Sequence, residues 1–148
     1  MKGLAEISRN LVGVKFKHCS TEKNEGYDCF TSIVHYLNER GAGISFDTIF
    51  EGVSFDYTAE YAADPHRTME LAHEYIASIT EEVKKGFERP GDILILRTRK
   101  RESDPIHLGI DGGNGLVIVA VRDRDIRVLS KKFFIVKKAY RWALKQVG

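Results

Sequence analysis

The stretch PGDILILRTRKRESDPIHLGIDGGNG, residues 90–115, marks the point at which the hydrophobic pattern of this chain changes. From here on, short runs of β-branched and other apolar residues are separated by turn residues, a pattern typical of β-strands. The segment DGGNG (111–115) predicts a hairpin connection. We therefore expect an antiparallel sheet of about five strands. The predicted strands are residues 93–97, 106–110, 116–121, 126–129 and 133–136.

The residues before this stretch have helical periodicity. The clearest helix begins at Asp28, a good N-cap, and stops at Gly41, and its apolar residues recur at i, i+3, i+4 and i+7. Further helices are predicted at residues 3–12 and 64–85, with His73 of the latter expected at the surface. Helices followed by antiparallel strands make an α+β domain, so we expect N-terminal helices packed on a C-terminal sheet.

An aromatic-rich stretch, residues 45–61, lies between the last two predicted helices and lacks sustained periodicity. We expect a long loop with at most a short helical turn, and such loops are often functional. Its aromatic residues either fold back as a satellite core or form a wall that faces a substrate, and the sequence leaves both alternatives open. They are Phe46, Phe50, Phe55, Tyr57 and Tyr61.

The composition is that of a compact soluble domain. Of the 148 residues, 43% are hydrophobic and 30% charged, which excludes disordered and fibrous chains. We expect one domain over residues 1–148, long enough for a core that needs no disulfide or metal. No apolar run approaches the ~20 residues that span a bilayer, and the first residues are charged too early for a signal peptide. The expected place of synthesis is the cytoplasm.

Charge is distributed unevenly along the chain. Residues 1–74 carry 7 Lys and Arg against 12 Asp and Glu, whereas residues 75–148 carry 16 against 9, so the halves have net charges of −5 and +7. A basic half can attract nucleic acid, but single-strand binders interleave aromatic with basic residues, and this chain does not. We therefore expect a solvated basic surface and no nucleic-acid partner.

Two residues carry the candidate chemistry, Cys29 and His107. Cys29 is the first residue of the helix that Asp28 caps, where unpaired N–H groups and the helix dipole lower the pKa of a thiol. The alternative is a small buried hydrophobic residue. Strand alternation places His107 opposite its aliphatic neighbours, beside Gly109, which leaves space next to the ring. A thiol at a helix start followed by a histidine on a strand is the arrangement of papain-like cysteine enzymes.

Five short segments, taken in order, resemble the NlpC/P60 cysteine peptidases, and most closely the branch found in phage and prophage tail proteins. They are LVGVKF (11–16), GYDC (26–29), PGDIL (90–94), HLGI (107–110) and GNG (113–115). The resemblance covers nearly the whole chain. It implies a papain-like α+β fold and hydrolysis of amide bonds in the stem peptides of bacterial peptidoglycan, without a metal or other cofactor.

By this resemblance Cys29 is the catalytic nucleophile and His107 is the general base and then the general acid, while Asp28 and Phe16 contact the substrate. Peptidoglycan stem peptides are the implied binding partners. The tail branch adds phage tail proteins as partners and a virion as the final location.

The sequence departs from the family pattern at the residue that orients the imidazole ring. That polar residue usually lies twelve positions after the histidine, which is Val119 here, and valine accepts no hydrogen bond. Asp111 shares the strand face of His107 but lies about 13 Å along the strand. Orientation is then left to water, a backbone carbonyl or a residue from elsewhere. The alternative function is a catalytically weak or inactive papain-like shell that serves tail assembly or cell-wall binding.

The other groups of reactive side chains do not predict a metal site or a disulfide. His18, Cys19, Asp28 and Cys29 are spaced too irregularly for a zinc site, so we expect no metal. A disulfide between Cys19 and Cys29 would block the nucleophile, and synthesis in the cytoplasm argues against it.

Overall fold

The computed structural model describes residues 3–20, 23–44, 48–50, 53–54, 57–100 and 103–142. Its helices are α1 (Leu4–Leu11), α2 (Cys29–Glu39), α3 (Thr58–Ala63) and α4 (Pro65–Ile79). Its strands are β1 (Thr48–Phe50), β2 (Val53–Ser54), β3 (Glu81–Val83), β4 (Ile93–Thr98), β5 (His107–Gly113), β6 (Leu116–Ala120), β7 (Ile126–Ser130) and β8 (Phe134–Arg141). None of the described helices has both the length and the apolarity that a bilayer crossing requires.

The main sheet is antiparallel and has the order β3-β8-β4-β5-β6-β7. All five predicted strands are present in it, and the predicted hairpin joins β5 to β6. Strand β3 is a sixth strand that the sequence did not predict, because its residues are mostly acidic and it forms only by pairing with β8 at the sheet edge. Helix α4 accordingly ends at Ile79 instead of near residue 85.

Helix α2 is fixed by its own first turn. The Asp28 carboxylate accepts hydrogen bonds from the N–H groups of Phe30 at 2.9 Å and Thr31 at 2.8 Å, and the Asp28 N–H donates to the Thr31 hydroxyl. This capping box satisfies N–H groups that have no partner within the helix. The apolar face, which includes Ile33 and Leu37, is fully buried, and the helix packs against β5 and β6. The helix start is thereby set against the middle of the sheet.

Both faces of the central strands are buried. Leu108 and Ile110 point toward the helices, as the alternation predicts for β5. The opposite face, which the sequence analysis takes to be non-aliphatic on β5, packs against a second apolar cluster because the neighbouring strands supply aliphatic side chains there. The buried members of that cluster are Leu94, Leu96, Val117, Val119, Phe134 and Ala139.

The described parts of residues 45–61 form the β1–β2 pair and the start of α3 instead of one continuous loop. Phe46 and Phe55 lie outside the described residues, as does the side chain of Phe50. Tyr57 is buried in the core and Tyr61 packs against it half-buried.

Two buried carboxylates hold the sheet through ion pairs. Asp111 accepts from the Lys131 ammonium at 2.7 Å and from the Gly113 N–H at 2.8 Å. Asp92 accepts two hydrogen bonds from the Arg141 guanidinium, each at 2.9 Å. Asp111 is thus engaged at the β5–β6 hairpin, which agrees with the expectation that it does not contact the His107 ring.

His73 is half-buried, which corrects the expectation of a surface position. Its Nε2 lies 2.6 Å from the Tyr140 hydroxyl on β8, so this helix side chain is tied to the sheet. Burial, and secondarily the Lys138 charge, lowers the pKa of His73 from its ordinary value of 6.5. The contact joins two residues far apart in sequence, so no local pattern could have predicted it.

The lowered pKa of His73 makes stability depend on pH. As the pH falls, His73 is protonated in the unfolded chain before it is protonated in the folded protein. The free energy of unfolding is therefore expected to fall as the pH drops below about 6.5 toward the folded-state pKa. Urea unfolding of His73→Gln and of the parent at pH 7.5 and 5.5 measures this, and the variant should lose less stability on acidification. Equal losses in the two proteins would contradict the assignment. His66→Gln, at an exposed position of the same helix, is the control.

Candidate active site

A cavity of about 520 Å³ opens where the start of α2 meets the start of β5 and the end of β6. Cys29 and His107, which are far apart in the chain, both line it. Asp28, Phe16 and Val119 line it as well. The fold therefore brings to one place all five residues that the sequence analysis assigned to catalysis, substrate contact or ring orientation.

The sulfur of Cys29 lies beside the first residues of β5. The backbone N–H of Leu108, the residue after His107, lies close enough to the sulfur to lower the pKa of the thiol. No hydrogen bond joins the Cys29 thiol to the His107 ring in the described part of the chain. Catalytic hydrogen bonds are often long in enzymes without substrate and tighten only in the complex. The thiol and the ring thus share one cavity without being locked together.

Burial, together with the neighbouring Asp28 carboxylate, raises the pKa of the Cys29 thiol to about 12. The backbone N–H groups of Leu108, Cys29 and Phe30 lower it, as the helix-start argument predicts, but they are outweighed. The expectation of a lowered thiol pKa is therefore wrong. Although Cys29 keeps some exposure to the cavity, protein atoms surround its sulfur, and a thiolate there loses hydration. At neutral pH the group is a thiol that needs a base.

The pKa of His107 is shifted in the opposite direction. Burial lowers the pKa of its ring from 6.5, and the nearby Asp104 carboxylate partly offsets this. The ring is therefore neutral at pH 7 and able to accept a proton. The pair is a neutral thiol and a neutral imidazole, so the reactivity of Cys29 depends on proton transfer to His107.

Asp28 is a structural centre of the site. Besides capping α2, its carboxylate accepts a hydrogen bond from the Cys19 N–H at 2.7 Å and one from the Tyr57 hydroxyl. A carboxylate offers about four acceptor positions, and Phe30 and Thr31 occupy the other two. Asp28 is thus fully engaged with the protein itself, and contact with a substrate, as the resemblance implies, stays a prediction.

Phe16 is held beside the nucleophile by a bridge to Tyr27, the residue before Asp28. The Tyr27 N–H donates to the Lys15 carbonyl at 2.9 Å. Gly26 precedes this bridge with a φ of +127°, and a Cβ there would collide with the Lys15 carbonyl. Only glycine fits this position, which explains why GYDC begins with one.

His18, Cys19 and Asp28 come together in space although their spacing is irregular in sequence. Their candidate ligand atoms lie within 4.8 Å of one another, and Cys29 does not belong to the group. The His18 Nδ1 lies 3.8 Å from the Asp28 Oδ2. Because the Asp28 oxygens already accept four hydrogen bonds, the arrangement is better described as a polar network around Asp28 than as a metal site, and the absence of a metal stays a prediction.

Val119 pairs with Gly109 across the β5–β6 ladder, two residues from the position of His107. The space expected beside the ring at Gly109 is filled, because a Cβ there would lie 2.8 Å from Val117 Cγ2 and 2.9 Å from Leu96 Cδ1. Val119 itself is 4% exposed and belongs to the apolar cluster of this face. The glycine therefore serves close packing of the sheet instead of making room for the imidazole.

Gly109→Ala is expected to lower the free energy of unfolding by about 1–3 kcal/mol, the usual cost of overpacking a core. The added methyl group would also lie 3.2 Å from the Ile118 carbonyl oxygen. Because this oxygen belongs to the backbone of a paired strand, it cannot easily shift to relieve the contact. Gly112→Ala is the matched control on the same strand, because its nearest neighbour would be an ordinary 3.5 Å contact with the Leu116 carbonyl. Urea unfolding of both variants tests this, and equal stabilities would contradict it.

Four further residues of the cavity lining bear on its chemistry, and the sequence analysis named two of them, Tyr57 and Tyr61, without deciding between core and wall. Tyr57 and Tyr61 come from the aromatic stretch, so its members act as core and as cavity wall at once. Arg122 lies 5.6 Å from the centre of the Tyr61 ring, and Asp104 precedes β5. The one available signal was the short separation of Asp104 from His107 in sequence.

Comparison with known proteins identifies the architecture. No protein-family model matches the sequence, and no curated protein matches it. The structure, however, matches the NlpC/p60 domain of the peptidoglycan hydrolase SagA with a TM-score of 0.59, 16% identity, and coverage of 93% of this chain and 95% of that one. The chain has the fold of an NlpC/P60 domain.

A second solved structure with this fold is a lipoprotein-like NLP/P60 protein from Staphylococcus aureus subsp. aureus Mu50. It matches with a TM-score of 0.54 and 14% identity over 96% of this chain, which spans 41% of that longer protein. The predicted α+β architecture, with N-terminal helices on a C-terminal antiparallel sheet, is thereby confirmed. At these identities the likeness establishes the NlpC/P60 fold and leaves the activity to be argued from the site.

Proposed function

We propose that this protein is a cysteine hydrolase that cleaves amide bonds in the stem peptides of bacterial peptidoglycan. The observation that carries the proposal is that Cys29, at the start of α2, and His107, at the start of β5, line one cavity of an NlpC/P60 fold. One solved structure of that fold belongs to a peptidoglycan hydrolase. Fold likeness alone is associational, so the proposal depends on these two side chains.

The protonation states define the mechanism. Since Cys29 is a neutral thiol and His107 a neutral imidazole, attack on the substrate carbonyl is coupled to transfer of the thiol proton to the ring. The imidazolium then protonates the leaving amine, and water hydrolyses the thioester with His107 again as base. The Cys29 N–H at the first turn of α2 contributes to stabilising the oxyanion.

The substrate wall combines aromatic and charged groups. Phe16, Tyr57 and Tyr61 offer apolar surface, while Asp104 and Arg122 supply one charge of each sign. A peptide that carries both amide and ionised groups fits such a lining. Location in a phage or prophage tail after cytoplasmic synthesis, with tail proteins as partners, completes the proposal and rests on the sequence resemblance alone.

The second candidate function is a papain-like shell that binds cell wall or assists tail assembly with little turnover. Two observations favour it: the pKa of Cys29 is raised to about 12, and Val119 is an apolar residue where the family has a polar one. Incubation of the purified chain with peptidoglycan and with soluble stem peptides separates the two. New amino termini detected by mass spectrometry support the hydrolase, whereas co-sedimentation with cell wall and no cleavage supports the shell.

A further inference from the structure

The β5–β6 ladder leaves the His107 ring without an acceptor from the neighbouring strand. Gly109 pairs with Val119, and β6 ends at Ala120, before the register reaches His107. Strand β4 pairs Leu96 with His107 on the other side. These paired residues are apolar and offer the imidazole no side-chain acceptor.

Two carboxylates line the cavity among the described residues, those of Asp28 and Asp104. The four acceptor positions of Asp28 are taken by Cys19, Tyr57, Phe30 and Thr31. The Asp104 carboxylate, by contrast, makes no hydrogen bond or ion pair with the residues that the structure describes. It is therefore the carboxylate that remains for the ring.

The local chain keeps Asp104 close to His107. Asp104, Pro105, Ile106 and His107 all line the cavity, so the segment follows its wall into β5. Pro105 fixes one backbone dihedral of this short connection, which limits the positions that Asp104 can take. At this position the Asp104 charge raises the pKa of His107 against the effect of burial.

We propose that Asp104 is the positioning residue of the site: its side chain, which makes no hydrogen bond with the described residues, rotates to accept one from a ring N–H of His107 and thereby directs the other nitrogen toward Cys29. The inference rests on the proposed function and deepens it, because the carboxylate takes over the task that Val119 cannot perform. A carboxylate in this place fixes the tautomer and stabilises the imidazolium that forms during attack. The chemistry stays with Cys29 and His107.

Two readouts on the 148-residue chain test the proposal. The first is nitrogen NMR of the histidine rings, which reports the pKa and tautomer of His107 without any substrate. Asp104→Asn should lower the His107 pKa and change its tautomer ratio, and Asp104→Glu should restore both in part. Asp123→Asn removes the same charge from an exposed turn residue outside the cavity and should change neither.

The second readout is hydrolysis of a stem peptide, for which Asp104→Asn should lower kcat about 100-fold with little change in KM. If the parent cleaves and Asp104→Asn matches Asp123→Asn in rate and in ring titration, the inference is overturned while the proposed function stands. If the parent fails to cleave but the ring titration shifts as expected, the hydrolase is overturned and the Asp104 contact stands. Thr98→Val is the further control, because Thr98 also lines the cavity and its side chain carries a hydroxyl group. A tautomer change there and none in Asp104→Asn would assign the contact to Thr98.

Discussion

Cys29→Ala is expected to abolish stem-peptide cleavage, with a fall in kcat of about 10⁴-fold or more, because Cys29 supplies the sulfur of the proposed thioester. The variant should fold, since Asp28 and Thr31 provide the α2 cap and the substitution removes one atom from a half-buried position. Release of new amino termini from a defined stem peptide, followed by mass spectrometry, measures the loss.

Cys19→Ser is the matched control for this experiment. Cys19 contributes its backbone N–H to Asp28, and the substitution keeps that hydrogen bond. Activity should stay within a few-fold of the parent. Cleavage that survives in Cys29→Ala and disappears in Cys19→Ser would transfer the nucleophile to Cys19 and refute the assignment made here.

Replacement of His107 should produce the second large effect, a fall in kcat/KM of about 10³–10⁴-fold in His107→Asn. In the parent, activity should rise with pH through the pKa of His107, because only the neutral ring accepts the thiol proton. Burial lowers that pKa, so the midpoint of the acid limb lies below 6.5. Since the pKa of the Cys29 thiol is about 12, no second limb is expected near neutrality.

A pH profile of kcat/KM between pH 4.5 and 9 tests this protonation scheme. An enzyme that works from a preformed thiolate–imidazolium pair would instead lose activity above the pKa of its histidine. A bell-shaped profile centred near neutrality would therefore contradict the neutral pair, even if Cys29 and His107 both proved essential. Retention of the acid limb in His107→Asn would assign it to another group.

Local sequence patterns predicted the central helix and five strands of the main sheet. Helix α2 follows from the Asp28 cap and the apolar period, and the five predicted strands from alternation, because these patterns reflect contacts within a few residues. Cys29 and His107 could be named for the same reason, since each lies at the start of a regular element.

Features that depend on long-range contacts escaped the sequence. Strand β3 exists only through pairing with β8, and His73 is half-buried only because Tyr140 meets it. The predicted direction of the Cys29 pKa shift was wrong because burial of the sulfur and the Asp28 charge outweigh the effect of the helix start. The cavity carboxylate Asp104 has no motif of its own, so only its placement beside the histidine makes it a candidate.

The Asp28 carboxylate couples the local unfolding of three segments. It ties together the turn that contains Cys19, the start of α2 and Tyr57 at the start of α3, three segments that are separate in sequence. Proteins open in cooperative units whose members lose protection together. If one of these segments unfolds locally, the Asp28 carboxylate that holds the other two becomes exposed to water. The segments with the nucleophile and the aromatic wall are therefore expected to unfold as one unit. The protein can then lose its catalytic arrangement by local opening while the two-sided core of β4, β5 and β6 stays folded, which makes activity a more sensitive reporter of early unfolding than the sheet itself.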